Sequence, residues 1–146
     1  MKPAVTSALP PFETVAAVIT DRHGRVLLVR KRGSATFIQP GGKREAGEAA
    51  LQTLARELRE ELGVRLVEAS ARLLGTFEDV AVNEPGRRVR AEVYRVQVLG
   101  EPLPGAEIAE LRWLDPVPPH PVPVAPLSAG HILPAHRAAG PTSPAS

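Results

Sequence analysis

Residues 42–64, GKREAGEAALQTLARELREELGV, decide how the rest of the chain is read. From Glu48 to Leu62 the stretch is built of Ala, Leu, Glu, Arg and Gln, with a single threonine and no Pro or Gly, and these are strong helix formers. At roughly 100° per residue, Leu51, Leu54, Ala55, Leu58 and Leu62 fall on one apolar stripe that must face a core. Glu57, Glu60 and Glu61 fall beside that stripe. Gly63 stands where a helix stops in the left-handed conformation.

Three carboxylates at i, i+3 and i+4 repel one another. Two of them also lie near the C-terminal end of the helix, where the dipole disfavours negative charge. A helix selected only for solubility would mix signs on this face, so something positive belongs there. Arg56 is expected to serve one carboxylate, not three. A hard divalent cation suits oxygen ligands, and Mg²⁺ takes one or two carboxylates together with water and substrate phosphate. The preceding loop, residues 39–43 (QPGGK), lets backbone approach such a site closely, because glycine has no Cβ.

The spacing G-x5-E-x7-R-E-aliphatic-x-E-E-x-G-aliphatic resembles the Nudix box, the loop–helix–loop motif of the Nudix hydrolase (MutT-like) family. Gly42, Glu48, Arg56, Glu57, Glu60, Glu61 and Gly63 meet its fixed positions, with Leu58 and Val64 as the aliphatic ones. Seven fixed positions match by chance on the order of 10⁻⁹ times per start site. The resemblance implies an α/β fold, an α/β/α sandwich with a central mixed β-sheet. It also implies hydrolysis of a nucleoside diphosphate linked to another group, by water attack on phosphorus with Mg²⁺, for which Mn²⁺ may substitute.

Composition sets the frame around that motif. The 146 residues suffice for one domain with a real core. A net charge of +2 without a lysine or arginine block argues against a nucleic-acid polymer as partner. The absence of cysteine excludes disulfides and thiolate metal sites. No apolar run is long enough for a membrane span, and residues 1–13 lack a signal-peptide core, so a cytoplasmic protein is expected.

In chain order, residues 1–11 read as a flexible arm, 12–134 as the Nudix domain and 135–146 as a disordered tail. Residues 13–20 and 25–30 are strand-like around a turn at 21–24, which predicts a β-hairpin. Residues 37–39 make a short strand stopped by Pro40. After the helix, 65–74 is mixed, 75–82 and 89–99 are strands around a turn at 83–86, and 112–115 is a last short strand. Nine of the 16 prolines follow residue 115, so 116–126 should be extended. Residues 127–133 can form a short helix with Ser128 as N-cap, which Pro134 would end or kink.

The resemblance then assigns roles. Glu57, Glu60 and Glu61 are the metal carboxylates, with the carbonyl of Gly41 as a further ligand. Arg56 holds a glutamate in place, and Glu48 either favours the helix start or braces Arg56. The general base is a box glutamate or one from a later loop, where Glu107 is preferred to Glu110, with Glu78 and Glu92 as alternatives. Lys43 and Arg44 are the candidate phosphate contacts, ahead of Arg30, Arg87, Arg88 and Arg90. Phe37 is a candidate for stacking on a base, although burial in the core is the commoner fate of an aromatic. A nucleotide-sensing Nudix domain without catalysis is the alternative, but such domains lose box glutamates and this chain has them all. An isomerase on the same fold uses a cysteine that is missing here. Family members often dimerise, so a homodimer is possible.

Overall fold

The structure is a computed structural model that describes residues 9–141. The arm expected at residues 1–11 lies mostly outside the described residues. Seven strands are present: β1 (Phe12–Val18), β2 (Val26–Lys31), β3 (Phe37–Ile38), β4 (Gly41–Lys43), β5 (Arg65–Val80), β6 (Arg88–Leu99) and β7 (Ile108–Leu114). Helix α1 (Ala50–Leu62) separates β4 from β5, and a π-helical turn (Ser128–Ile132) leads into α2 (Leu133–Ala139). The order β4-β1-β6-β5 forms a mixed sheet, with β1 parallel to β6 and the other pairs antiparallel. A smaller antiparallel sheet has the order β3-β2-β7.

The hairpin expected from residues 13–30 closes only at its turn. Asp21 Oδ1 accepts the N–H groups of His23 and Arg25, and Thr20 bridges Val26. The strands then part, β1 into the mixed sheet and β2 into the smaller one. The reason lies in their composition. Val15 to Ile19 and Val26 to Val29 are all buried, without the alternation of a half-exposed hairpin. Such continuous apolar runs need cover on both faces.

That cover comes from the two helical layers. Val15, Ala17, Ile19, Leu27 and Val29 pack against Leu54, Leu58 and Leu62 of α1. Their alternates, Ala16, Val18, Val26 and Leu28, pack with Ile132 and Leu133 of the C-terminal helices. The result is the α/β/α sandwich. Leu58 is fully buried, so truncation to Ala should cost roughly 2–5 kcal/mol.

Several local expectations are corrected. Helix α1 begins at Ala50, because Glu48 turns back to accept the Glu45 N–H and Ala49 occupies the extended N-cap position. Residues 41–43 are a strand, not a loop, paired with β1. β5 runs unbroken from Arg65, its period hidden by register shifts near Val67/Arg72 and Leu73/Gly75. Residues 123–125 lie extended beside β3, as the prolines required. Ser128 does not cap a helix, because it lies inside one and its carbonyl accepts the Leu133 N–H. Pro134 does not end the helix either. A π-helical turn ends at Ile132, just before it, and the helix runs on through it to Ala139. Residues 135–139, read as tail, are helical, and His136 is buried. Among the described residues no helix is long and apolar enough to cross a membrane.

Candidate active site

The site begins with the way α1 is pinned at both ends. At its C-terminus Gly63 is left-handed (φ 68°) and donates its N–H to Arg59 O. The 100–107 loop then folds back over the same end: Leu103 N–H meets Leu62 O and Gly105 N–H meets Glu61 O at 2.7 Å. A Cβ on Gly105 would lie 2.1 Å from the Glu60 carbonyl oxygen, so only glycine permits this contact. Two residues later the chain presents Glu107 beside Glu60 and Glu61, in the same cleft.

At the other end, β4 lies across the helix. A Cβ on Gly42 would lie 2.4 Å from the Glu57 carboxyl carbon, so the side chain at 42 is given up to the glutamate. Gly41 donates its N–H to Glu61 Oε1 at 3.0 Å and holds φ 145° against β1. Glu61 is thereby only 8% exposed. Burial pushes its carboxyl up to about 7, and the neighbouring charge of Glu57 adds to the effect. Burial also raises Glu57, against the pull of Arg56.

Arg56 does more than serve one carboxylate. Its Nε and Nη2 donate to the two oxygens of Glu48 at 2.7 and 2.9 Å, and Nη1 donates to Glu57 Oε2 at 2.8 Å. Nη1 also reaches Glu60 at 3.5 Å, and Nη2 reaches the Lys43 carbonyl. The planar fork of guanidinium makes this possible, with separate donors aimed in fixed directions. Glu48 therefore braces Arg56 and does not face the cleft. Its carboxyl is drawn down to about 2, chiefly by Arg56. Glu60 remains mostly exposed.

These groups open on a cavity of about 700 Å³ lined by Glu57, Glu60, Glu61 and Glu107, with Lys31 and Lys43 among its cations. The rest of its lining comes from β1, β6, the 80–84 segment and residues 125–128, and mixes Val, Ala and Leu side chains with Thr14, Asn83, Glu84 and Ser128. Glu110 is outside it and pairs with Arg30 and Arg112. Glu78 pairs with Arg88 and Arg90, and Glu92 with Arg44, so neither is available. Arg44 is thus turned away from the cleft as well. Phe37 is buried in the core at 3% exposure with Arg112 over its ring, because its strand position faces the C-terminal helices. It lines no part of the cavity. Lys43 reaches the cleft but bridges Glu84 at 3.0 Å and lies over the Phe12 ring.

Lys31 escaped the sequence reading. Its charge offsets those of Glu57 and Glu61. The signal was present: Leu27 and Val29 face α1, and a period of two places Lys31 on the same side.

The donor set fits a divalent cation. Two neighbouring carboxylates, one of them buried and held by a single N–H, keep unused oxygen lone pairs beside a solvent-filled cleft. Among the described residues no three His, Asp or Glu side chains close into a cage. Water and substrate oxygens would have to supply the remaining ligands of any ion held there.

Comparisons with known proteins give the family. The NUDIX domain model matches residues 10–130. The 8-oxo-dGTP diphosphatase of Haemophilus influenzae is 32% identical over 109 residues, covering 71% of this chain and 76% of that protein. The Nudix hydrolase YvcI of Bacillus subtilis is 27% identical over 127 residues, 84% of this chain and 77% of the relative. The solution structure of the E. coli ORF135 protein superposes with a TM-score of 0.70 at 26% identity, covering 98% of this chain and all of the other. With its box intact and its carboxylates gathered at one cleft, the chain belongs to the Nudix hydrolase family.

Proposed function

We propose that the chain hydrolyses a nucleoside diphosphate linked to a further group, with a nucleoside triphosphate or a related nucleotide derivative as substrate, and that it does so with Mg²⁺ or Mn²⁺. One observation carries this reading. The buried Glu61 and the half-buried Glu57 share a cleft with Lys31 and Lys43, so anionic and cationic groups face one another across a space that suits a nucleotide. The 8-oxo-dGTP diphosphatase relative supports a triphosphate.

In this reading Glu57, Glu60, Glu61 and the Gly41 carbonyl hold the ion. A bound divalent ion screens the charge of the diphosphate and lowers the pKa of a water molecule. The remaining work falls to the chain. Arg56 fixes the rotamer of Glu57, and the Gly41 N–H fixes that of Glu61. Lys31 and Lys43 bind phosphate oxygens. Glu107 takes the proton from the attacking water, since of Glu78, Glu92, Glu107 and Glu110 it alone lines the cavity, and Glu84, which also lines it, is paired with Lys43. The water oxygen bonds to phosphorus, the bridging P–O bond breaks, and a nucleoside monophosphate leaves with the phosphorylated remainder.

The test is a nucleotide panel assayed for product release with Mg²⁺, with EDTA, and with Mn²⁺ added back. Hydrolysis should vanish in EDTA and return with either ion. Turnover that persists in EDTA overturns the metal assignment.

A further inference from the structure

One polar side chain in the cavity has no place in the chemistry above. Gln39, one residue ahead of Pro40 and β4, is 6% exposed and lines the same cavity as the carboxylates. Its Nε2 donates to the Ala17 carbonyl at 3.0 Å. Because a carbonyl can only accept, this bond fixes which end of the amide is which. Oε1 is therefore the free end, and it is buried without any hydrogen-bond partner. Leaving a buried acceptor unmet costs roughly 1–3 kcal/mol. The backbone cannot relieve it, because the adjoining Pro40 carbonyl already takes the Ala17 N–H and clamps the segment to β1.

The surroundings indicate what would meet it. The cavity that Gln39 lines is also walled by Ile38, Ala16, Ala91, Ala125 and Leu127, small or aliphatic groups suited to a flat ring. Phe12 at the rim is the one aromatic lining residue among those described. Small-molecule sites commonly pair apolar walls with a few placed polar groups that fix orientation.

We propose that Gln39 is a specificity-determining residue, whose Oε1 accepts an N–H from the edge of a heteroaromatic base seated against these aliphatic walls. The inference rests on the nucleotide-hydrolase reading of the cleft and adds the group that selects the base.

The experiment compares kcat/KM within pairs of nucleoside triphosphates that differ in one amino donor group: adenosine against purine riboside, and guanosine against inosine. Wild type should prefer the donor-bearing member of at least one pair by about tenfold. Gln39→Met, of similar length but without the acceptor, should bring that ratio to near one. A ratio within a pair cancels any general loss from breaking the Ala17 bond. Ratios that survive the substitution, or a wild type indifferent within every pair, would overturn the proposal while leaving the hydrolase reading intact. A wild type inactive on the whole panel would remove both. If Gln39→Met does not fold, wild-type NMR decides. The Gln39 side-chain amide protons should shift with the preferred nucleoside monophosphate and not with ribose 5-phosphate, and equal shifts would sink the idea.

Discussion

Two glutamates of the box, Glu48 just ahead of α1 and Glu61 within it, carry the same group in opposite states. On one side Glu48 is held by both arms of Arg56 and by the Thr53 hydroxyl, and its carboxyl is drawn far down. On the other, Glu61 has a single backbone N–H, is buried, and is pushed up to about 7. A glutamate whose lone pairs are met by the protein stabilises the fold. One whose lone pairs are left unmet in a cleft is held ready for something the protein does not supply. Arg56 stands between them and reaches Glu57 as well, so the satisfied glutamate sets the geometry of one that lines the cleft.

The largest effect should come from neutralising each side in turn. Glu61→Gln should lower kcat by roughly 10²- to 10³-fold, the size of losing a key electrostatic group, with a melting temperature equal to or above wild type. Glu48→Gln should lower the melting temperature and reduce activity about tenfold, acting through Arg56. If both variants lost stability and activity in the same proportion, the distinction between the two sides would collapse.

A second test reads the comparison as pH dependence. Glu61 ionises near 7 in the fold against an ordinary 4.5, so between these values the folded chain binds a proton that the unfolded chain has lost. Its stabilising contribution is complete below about pH 4.5 and is lost as pH rises through about 7. Metal-free wild type should thus lose on the order of 3 kcal/mol relative to Glu61→Gln across that window. Urea unfolding at either end measures this, and parallel pH profiles would refute it.

The smallest effect concerns the cleft's own ion pair. Glu84 holds Lys43 at 3.0 Å through side chains that are both substantially exposed. Such pairs contribute at most about 1 kcal/mol, so Glu84→Gln should lower KM by roughly threefold or less with kcat unchanged. A raised KM would mean that Glu84 itself aids binding.

Much of this was legible in the chain. The box helix, its apolar stripe and its three glutamates follow from spacing alone, and Leu54, Leu58 and Leu62 are buried as the stripe required. What escaped depends on contacts distant in sequence. The parting of β1 and β2 is decided by what covers them, not by their own pattern. The burial of Phe37 and the pairing of Arg44 with Glu92 require knowing which strands are neighbours. Lys31 was recoverable from a period of two but lay at the end of an apolar strand, where attention falls on the core.

Gly105 has a consequence that reaches beyond its own contact. By resting on the last carbonyls of α1, it turns the 100–107 loop into a ruler of fixed length with Glu107 as its final mark. Under the base role proposed for Glu107, a relative that kept every box position would lose turnover if that ruler were a single residue longer. Competence would then be written partly in a spacing that the box does not contain.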